Sequence, residues 1–138
     1  MTKEEAAVRE VVQEFLSGYE QRQVESCMSV MTHSRPLLFL GTNADEVWKT
    51  PEDLRAAFDR DFRTMTNIRW GDYRHFAIEA SATLASVLIE LPVSFQVGEK
   101  QEQTLFRFAL TLHKELEQWK ISLAMGSVPH KAGTITFS

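Results

Sequence analysis

The stretch TLFRFALTLHKELEQWKISLAMGSV, residues 104–128, decides the fold. Apolar side chains recur at every second position through most of it, which is the period of a β-strand with one buried face. The segment 115–118 interrupts this alternation and has the length of a tight turn, although it lacks the Asn-Gly or Asp-Gly that such turns favour. We therefore predict an antiparallel hairpin with strands at 104–114 and 119–128.

The two faces of this hairpin differ in character. A turn centred on residues 116–117 places Leu110 opposite Leu123 and Phe108 opposite Met125, so we expect this apolar face to line the core and a pocket. The opposite face is small and mixed, and we interpret it as a homodimer interface, the alternative being an ordinary exposed face. The predicted interface residues are Arg107, Ala109, Thr111, Ser122 and Ala124.

Two more segments with strand periodicity precede the hairpin, at residues 68–80 and 82–97. Short connections join the four segments, which favours an antiparallel meander. Pro92 lies inside the second segment, and because proline has no N–H for the ladder, we expect a bulge or a strong bend there.

The N-terminal half carries helical signals instead. Thr2 and Glu5 form the pattern of a capping box, and apolar residues follow at spacings of three and four. A second, shorter helix and a third, which begins at Thr50-Pro51, are separated by a short strand at 37–40 and a loop. Helices followed by a run of antiparallel strands are typical of an α+β domain with its helices on one face of the sheet.

The chain of 138 residues has the length of one domain. We predict a single domain over residues 1–138, with a core at 5–129 and a tail at 130–138.

Several short motifs lie within these elements. They are Gly41-Thr42, Asp45-Glu46-Val47-Trp48, Pro51-Glu52-Asp53-Leu54 and Asp61-Phe62 in the first half, and the segments 107–115, 119–122 and 127–129 in the second. Together with the order of elements, they resemble the SnoaL-like family of the nuclear transport factor 2-like superfamily.

The resemblance implies a cone-shaped, curved antiparallel β-sheet wrapped around three N-terminal helices, with a pocket at its open end. The superfamily includes ketosteroid isomerases, polyketide cyclases, dehydratases, non-enzymatic binding modules and a kinase association domain, and homodimers through the outer face of the sheet are usual. Several relatives carry inward-pointing His residues after the Trp-Lys-Ile-Ser stretch. Here we assign Leu123 and Met125 to those positions, which removes these acid–base groups.

A pocket needs a few polar groups within an apolar wall. Asp72 shares one strand face with Trp70 and Arg74, so we expect it at the pocket mouth, where apolar neighbours raise a carboxyl pKa toward neutrality. The alternative is that Asp72 pairs with Arg74 or lies at a solvated strand end. The predicted pocket residues are Phe15, Tyr19, Met28, Trp48, Phe58, Trp70, Arg74, Phe108, Leu123 and Met125.

Glu90 is the second candidate catalytic carboxylate, because it interrupts an apolar run. Buried acids are seldom left unpaired. Glu90 faces either the pocket or the outer surface, and its candidate partners are Arg107 and Arg74.

The charge balance and the cysteine count exclude several other classes. Nineteen acidic and fifteen basic residues give a net charge of −4, which is not the electrostatic footprint of a nucleic-acid binder. The single cysteine, Cys27, excludes an internal disulfide and a Cys-rich zinc site, and we interpret it as a small buried hydrophobe. The four His residues share no metal-ligand spacing, and no phosphate-binding loop occurs, so we expect neither a metal nor a cofactor.

The charged N-terminus, residues 1–5, does not have the pattern of a signal peptide, and the most apolar stretch, residues 84–97, is too short to span a bilayer. We therefore expect a cytoplasmic protein with no membrane partner. The leading hypothesis is a homodimer that binds a small, largely apolar molecule. The alternatives are an isomerase, cyclase or dehydratase that moves a proton through Asp72 or Glu90, and an association module whose cone is filled by its own side chains.

Overall fold

Three helices and a seven-stranded sheet make up the fold in the computed structural model, which describes residues 1–134. The helices are α1 (Lys3–Glu20), α2 (Val24–Ser29) and α3 (Pro51–Thr64). The strands are β1 (Leu38–Leu40), β2 (Val47–Trp48), β3 (Thr66–Trp70), β4 (His75–Ala80), β5 (Leu84–Val97), β6 (Lys100–Glu115) and β7 (Gln118–Ser127). The predicted α+β class is confirmed. Of the predicted tail, residues 130–134 form neither helix nor strand, and residues 135–138 lie outside the described residues.

Side-chain caps fix where α1 and α3 begin. At α1, the backbone N–H of Thr2 donates to Glu5 Oε1 at 2.9 Å and that of Glu5 donates to Thr2 Oγ1 at 3.1 Å, which is the predicted capping box. At α3, Thr50 Oγ1 accepts from the backbone N–H of Asp53 at 3.1 Å, and Pro51 occupies the first turn. The apolar stripes of both helices are buried in the core.

The strands form one mixed sheet in the order β2-β1-β7-β6-β5-β3, with β4 also paired to β5. Among the described strands, β1 and β7 run parallel and the other neighbouring pairs run antiparallel. The sheet is therefore largely antiparallel, as predicted, with one parallel pair. Most of the domain lies between β1 and β7 in the chain, so no hairpin forces these two strands to be antiparallel.

The predicted strand at 68–80 is two strands, β3 and β4, separated by residues 71–74. Both pair with β5, and its Pro92 lies opposite the interruption. The backbone N–H of Gly71 donates to the Pro92 carbonyl at 2.8 Å, and a Cβ at Gly71 would lie only 2.6 Å from Pro92 Cγ. This close approach requires glycine. The bulge predicted inside β5 is not found, because β5 pairs with β6 in unbroken register through Pro92, and the irregularity lies in the opposite strand instead.

A β-bulge in β7 overturns the predicted register of the last hairpin. Leu112 pairs with Ile121 as expected, but Thr111 pairs with Leu123, so Ser122 is an extra residue without a partner on β6. Because side chains alternate along a strand, the extra residue exchanges the two faces of β7 beyond it.

Because of the bulge, four predicted placements are wrong. Leu123 and Met125 are 45% and 47% exposed on the outer face, although we predicted them in the pocket. Ser122 and Ala124 are buried, although we predicted them at an exposed interface.

The core lies between the helices and the inner face of the sheet, and Cys27 and Met28 of α2 are buried in it. Burial raises the pKa of the Cys27 thiol to about 12, so the thiol is neutral at pH 7, and its interpretation as a buried hydrophobe is confirmed. Within residues 1–134, none of the helices has the length and apolarity that a membrane crossing requires.

Candidate functional site

A cavity of about 300 Å³ lies between the helices and the inner face of the sheet. This volume is at the lower end of the range for ligand pockets. Its aromatic lining residues are Phe15, Tyr19, Phe39, Trp48, Phe58, Trp70, Phe95, Phe106 and Phe108. The other lining residues are Gly41, Thr42, Glu46, Leu54, Ala57, Asp61, Met65, Ile68, Val93, Thr104, Gly126 and Val128.

Six of the ten predicted pocket residues line this cavity. The predicted residues that line the cavity are Phe15, Tyr19, Trp48, Phe58, Trp70 and Phe108. The other four placements are wrong. Met28 is buried in the core away from the cavity lining, Arg74 is exposed in the loop between β3 and β4, and Leu123 and Met125 lie beyond the bulge on the outer face.

Neither predicted catalytic carboxylate is among the described residues that line the cavity. Asp72 is exposed in the loop 71–74, because the interruption opposite Pro92 ends the alternation that was expected to turn it inward. Glu90 lies on the outer face, where Arg107 Nε donates to its Oε2 at 2.7 Å. This hydrogen bond lowers the pKa of Glu90, the opposite of what a base near neutral pH needs.

A different carboxylate lies on the cavity wall. Asp61 projects from α3, and Tyr19 projects from α1 toward it. The Tyr19 hydroxyl donates to Asp61 Oδ2 at 2.8 Å. The two helices thus supply one hydrogen-bonded polar pair to a wall that is otherwise mostly apolar.

Burial sets the protonation of this pair. Desolvation raises the pKa of Asp61, and the hydrogen bond from Tyr19 opposes that rise by stabilising the carboxylate. Desolvation and the nearby Asp61 charge raise the pKa of Tyr19 well above its ordinary value. Tyr19 therefore remains a protonated donor at any pH at which the protein is normally handled.

Glu46 is a second carboxylate on the wall, at the loop before β2. Its Oε1 accepts from the backbone N–H of Asn43 at 2.8 Å and from Thr42 Oγ1 at 3.4 Å. Its Oε2 lies 3.4 Å from an Arg60 guanidinium nitrogen. Glu46 is thus held by the loop and balanced by a cation, whereas the partner of Asp61 is a neutral hydroxyl.

The SnoaL-like domain family matches residues 8–131 of the chain. The chain belongs to this family. Solved structures of NTF2-like proteins are similar to this SnoaL-like chain over almost its whole length.

A ketosteroid isomerase-like protein from Erwinia carotovora is 12% identical, with 95% of this chain and 100% of that chain covered at a TM-score of 0.80. An NTF2-like protein from Cytophaga hutchinsonii is 18% identical, with 94% and 100% covered at a TM-score of 0.74. An NTF2-like protein of unknown function from Pseudomonas putida is 13% identical, with 94% and 89% covered at a TM-score of 0.76. At these identities the likeness shows a shared fold. A comparison with curated proteins gave no match.

The end of β7 in this SnoaL-like chain contributes small and apolar groups to the cavity. The lining residues there are Gly126 and Val128, in place of the Leu123 and Met125 that the unbulged register predicted. A Cβ at Gly126 would lie 2.9 Å from the Phe106 ring, so the glycine makes room for that ring. Within residues 1–134, no histidine lines the cavity.

Neither carboxylate of the cavity wall, Asp61 or Glu46, was among the predicted site residues. Asp61 had the clearer signal. It follows Phe58 by three positions and Leu54 by seven, which is the spacing of the buried stripe of α3. A carboxylate on the apolar stripe of an amphipathic helix is the sequence signal that could have identified Asp61.

Proposed function

We propose that this SnoaL-like protein binds a small, largely apolar molecule in the cavity, with Tyr19 and Asp61 as its polar anchor. The cavity itself carries this inference, because it joins a mostly aromatic wall to a hydrogen-bonded polar pair. Ligand pockets in proteins have this composition: many apolar contacts for affinity and a few polar groups for orientation.

The volume of the cavity favours binding over an association module with a filled cone. Packed protein cores contain few voids larger than a water molecule, which occupies about 30 Å³ of liquid. A cavity of about 300 Å³ is far larger than such voids. Side chains that filled the cone would leave no such space.

The engagement of the Tyr19 and Trp70 donors favours binding over proton transfer next to a carbonyl. Such catalysis needs a donor aimed at the oxygen that becomes negative. The Tyr19 hydroxyl already donates to Asp61, and the Trp70 indole N–H donates to the Leu16 carbonyl at 2.9 Å. Two wall donors suited to stabilising an enolate are therefore already engaged.

A neutral fluorescent probe, N-phenyl-1-naphthylamine, tests binding to the cavity. Val128 lines the cavity and is 42% exposed, so a tryptophan there is expected to obstruct it. We expect Val128→Trp to weaken probe binding roughly tenfold or more, which corresponds to about 1.4 kcal/mol. Val97 is 45% exposed at the end of β5 and is not among the cavity residues, so Val97→Trp is the matched control.

Equal effects of the two tryptophans, or no probe binding by the folded wild-type protein, would contradict binding in the cavity. Native mass spectrometry of protein purified from its source would report a retained ligand and the oligomer mass together.

The proposed partner is a second copy of the chain, bound through the outer face of the sheet. Four strands place Leu40, Met125, Ala109 and Leu88 side by side in one row of that face. Leu88 is 60% exposed and Met125 nearly half exposed. A continuous apolar row on an exposed sheet face is the kind of surface that a second subunit covers.

The interface that we now propose keeps Arg107, Ala109 and Thr111 and replaces Ser122 and Ala124 by Leu123 and Met125. Sedimentation equilibrium tests it with Leu88→Glu, which we expect to dissociate the dimer. Val97→Glu on the same strand is the control, because it adds the same charge at a comparable exposure outside the row. A monomeric wild type, or a Leu88→Glu variant as dimeric as the control, would rule out this interface.

A further inference from the structure

We propose that the ligand carries a protonated amine on its apolar body, and that Asp61 binds this ammonium group. This inference rests on the proposed function and narrows it to one chemical class. It stands on the charge, the hydrogen bonding and the aromatic surfaces of the cavity wall.

The charge of the wall is negative. Asp61 and Glu46 both line the cavity, and no Lys, Arg or His does so within residues 1–134. Arg60 lies near Glu46, but Asp61 forms no ion pair within 4.0 Å in this part of the chain. A half-buried carboxylate without a cation is costly, and a ligand ammonium would supply the missing charge.

The hydrogen-bonding groups of the wall also favour an ammonium ligand, which donates hydrogen bonds. The Tyr19 hydroxyl donates to Asp61, the Trp70 indole N–H donates to Leu16, and the Thr42 hydroxyl donates to Glu46. A carboxylate accepts about four hydrogen bonds, so the Asp61 oxygens keep capacity after the one from Tyr19. These three donors are engaged while the Asp61 oxygens can still accept, so the part of the wall around Asp61 favours a ligand that donates.

Aromatic rings pack around Tyr19, the hydrogen-bond partner of this carboxylate. The Tyr19 ring centroid lies 6.1 Å from that of Phe58 and 5.9 Å from that of Trp70, and Trp48 lines the cavity from β2. The faces of aromatic rings attract cations, most strongly when water is excluded. The same rings therefore suit both the apolar body and the charged group of an amine.

The electrostatics of Asp61 agree with this assignment. Burial raises its pKa and outweighs the hydrogen bond from Tyr19 and the charge of Arg60, which both lower it, while the charge of Glu46 adds a smaller rise. The surroundings of Asp61 therefore disfavour the ionised carboxylate on balance. An ammonium bound beside Asp61 would favour the ionised form and lower that pKa again. An anionic ligand would add to the repulsion.

Three indole probes of similar size separate the amine class from other apolar ligands. Tryptamine is a cation at pH 7, tryptophol is neutral and indole-3-propionate is an anion. By isothermal titration calorimetry, we expect tryptamine to bind at least about tenfold more tightly than tryptophol, as a charge-assisted hydrogen bond implies, and indole-3-propionate to bind most weakly.

Two variants of α3 test whether Asp61 is responsible for the tighter binding of tryptamine than of tryptophol. Asp61→Asn should lose roughly tenfold in tryptamine affinity and change tryptophol affinity less than about threefold. Asp59→Asn removes the same charge from an exposed position on the same helix, so it is the matched control and should leave both affinities within about twofold. Circular dichroism checks that both variants fold.

The outcomes distinguish this inference from the proposed function. Equal binding of tryptamine and tryptophol would overturn the amine class and leave apolar binding standing. Equal losses in Asp61→Asn and Asp59→Asn would show a general charge effect and overturn the role of Asp61. Failure of all three probes to bind the folded protein would contradict both. If Asp61→Asn does not fold, the order of the three probes on the wild type still decides the ligand class.

Discussion

Tyr19 Oη and Asp61 Oδ2 are 2.8 Å apart and join α1 to α3 across 42 residues of sequence. The Tyr19 ring is held by its neighbours, with centroid distances of 5.0 Å to Phe62 and 6.4 Å to Phe15. Packing therefore fixes the direction of the hydroxyl before any ligand arrives. The pair is at once a tie between two helices and the polar feature of the cavity.

Removing the Tyr19 hydroxyl should destabilise the protein. Tyr19→Phe leaves the half-buried Asp61 carboxylate without its donor, so we expect the free energy of unfolding to fall by about 1–3 kcal/mol at pH 7. Urea unfolding measures this. Tyr73→Phe is the control, because that ring packs on Phe76 and lies outside the cavity, and it should change stability by less than about 0.5 kcal/mol. Equal changes in the two variants would show that the hydroxyl of Tyr19 contributes no more to the free energy of unfolding than that of Tyr73.

Asp61→Asn should change the free energy of unfolding in the opposite direction from Tyr19→Phe, so it should stabilise the protein at neutral pH. Burial raises the folded-state pKa of Asp61, so the stability that this group contributes is complete below its ordinary value of about 3.9. It is lost as the pH rises through the raised folded pKa. Asparagine does not ionise and still accepts from Tyr19, so the variant should gain stability over the wild type as the pH rises from about 3.5 to 7.

Urea unfolding of both proteins at several pH values checks this dependence. A stability difference that stays constant between pH 3.5 and 7 would show that Asp61 titrates normally. Asp59→Asn, exposed on the same helix, controls for the removal of a carboxylate from α3.

The N-terminal half was predictable because its signals are local. The capping box of Thr2 and Glu5 and the Thr50-Pro51 start fix both long helices, and the aromatic residues at helical spacing face the cavity as expected. Such signals depend on backbone groups within one turn, so they need no knowledge of the tertiary fold.

The outer and inner faces of β7 could not be predicted, because they depend on how the strand pairs with its neighbour and not on local signals. Alternation assigns faces only while the register is unbroken, and one extra residue at Ser122 exchanges them. Residues 123–125 are all apolar, so the sequence just beyond Ser122 gives no signal of the change. Asp72 was misplaced in the same way, by an interruption opposite Pro92.

Two substitutions test the bulged register directly. Ala124 is buried and Met125 is exposed, so a glutamate at position 124 places a charge in the core and one at position 125 does not. We expect Ala124→Glu to lower the free energy of unfolding by about 3 kcal/mol or more, as for other buried unpaired charges. Met125→Glu should leave the stability of the monomer within about 0.5 kcal/mol. The unbulged register requires the reverse order of these two variants.

The turn between β6 and β7 is built from residues that disfavour its conformation. Leu116 and Glu117 have φ angles of 48° and 66°, in the left-handed region, and both side chains are exposed. Left-handed backbone costs most residues about 1–2 kcal/mol each, and asparagine followed by glycine is the pair that such two-residue turns favour. Replacing Leu116-Glu117 by Asn-Gly should therefore stabilise the protein by about 1–2 kcal/mol, measured by urea unfolding.

A double alanine variant at the same two positions separates backbone strain from loss of the side chains. Alanine removes the exposed leucine and the 3.7 Å contact between Glu117 and Lys114 but keeps the left-handed cost, so it should not increase stability. A surface ion pair of this kind contributes at most about 1 kcal/mol, which bounds the loss in both variants. If Asn-Gly were no more stable than Ala-Ala, the turn residues would carry no strain, and the positive φ angles would have to be compensated elsewhere in the hairpin.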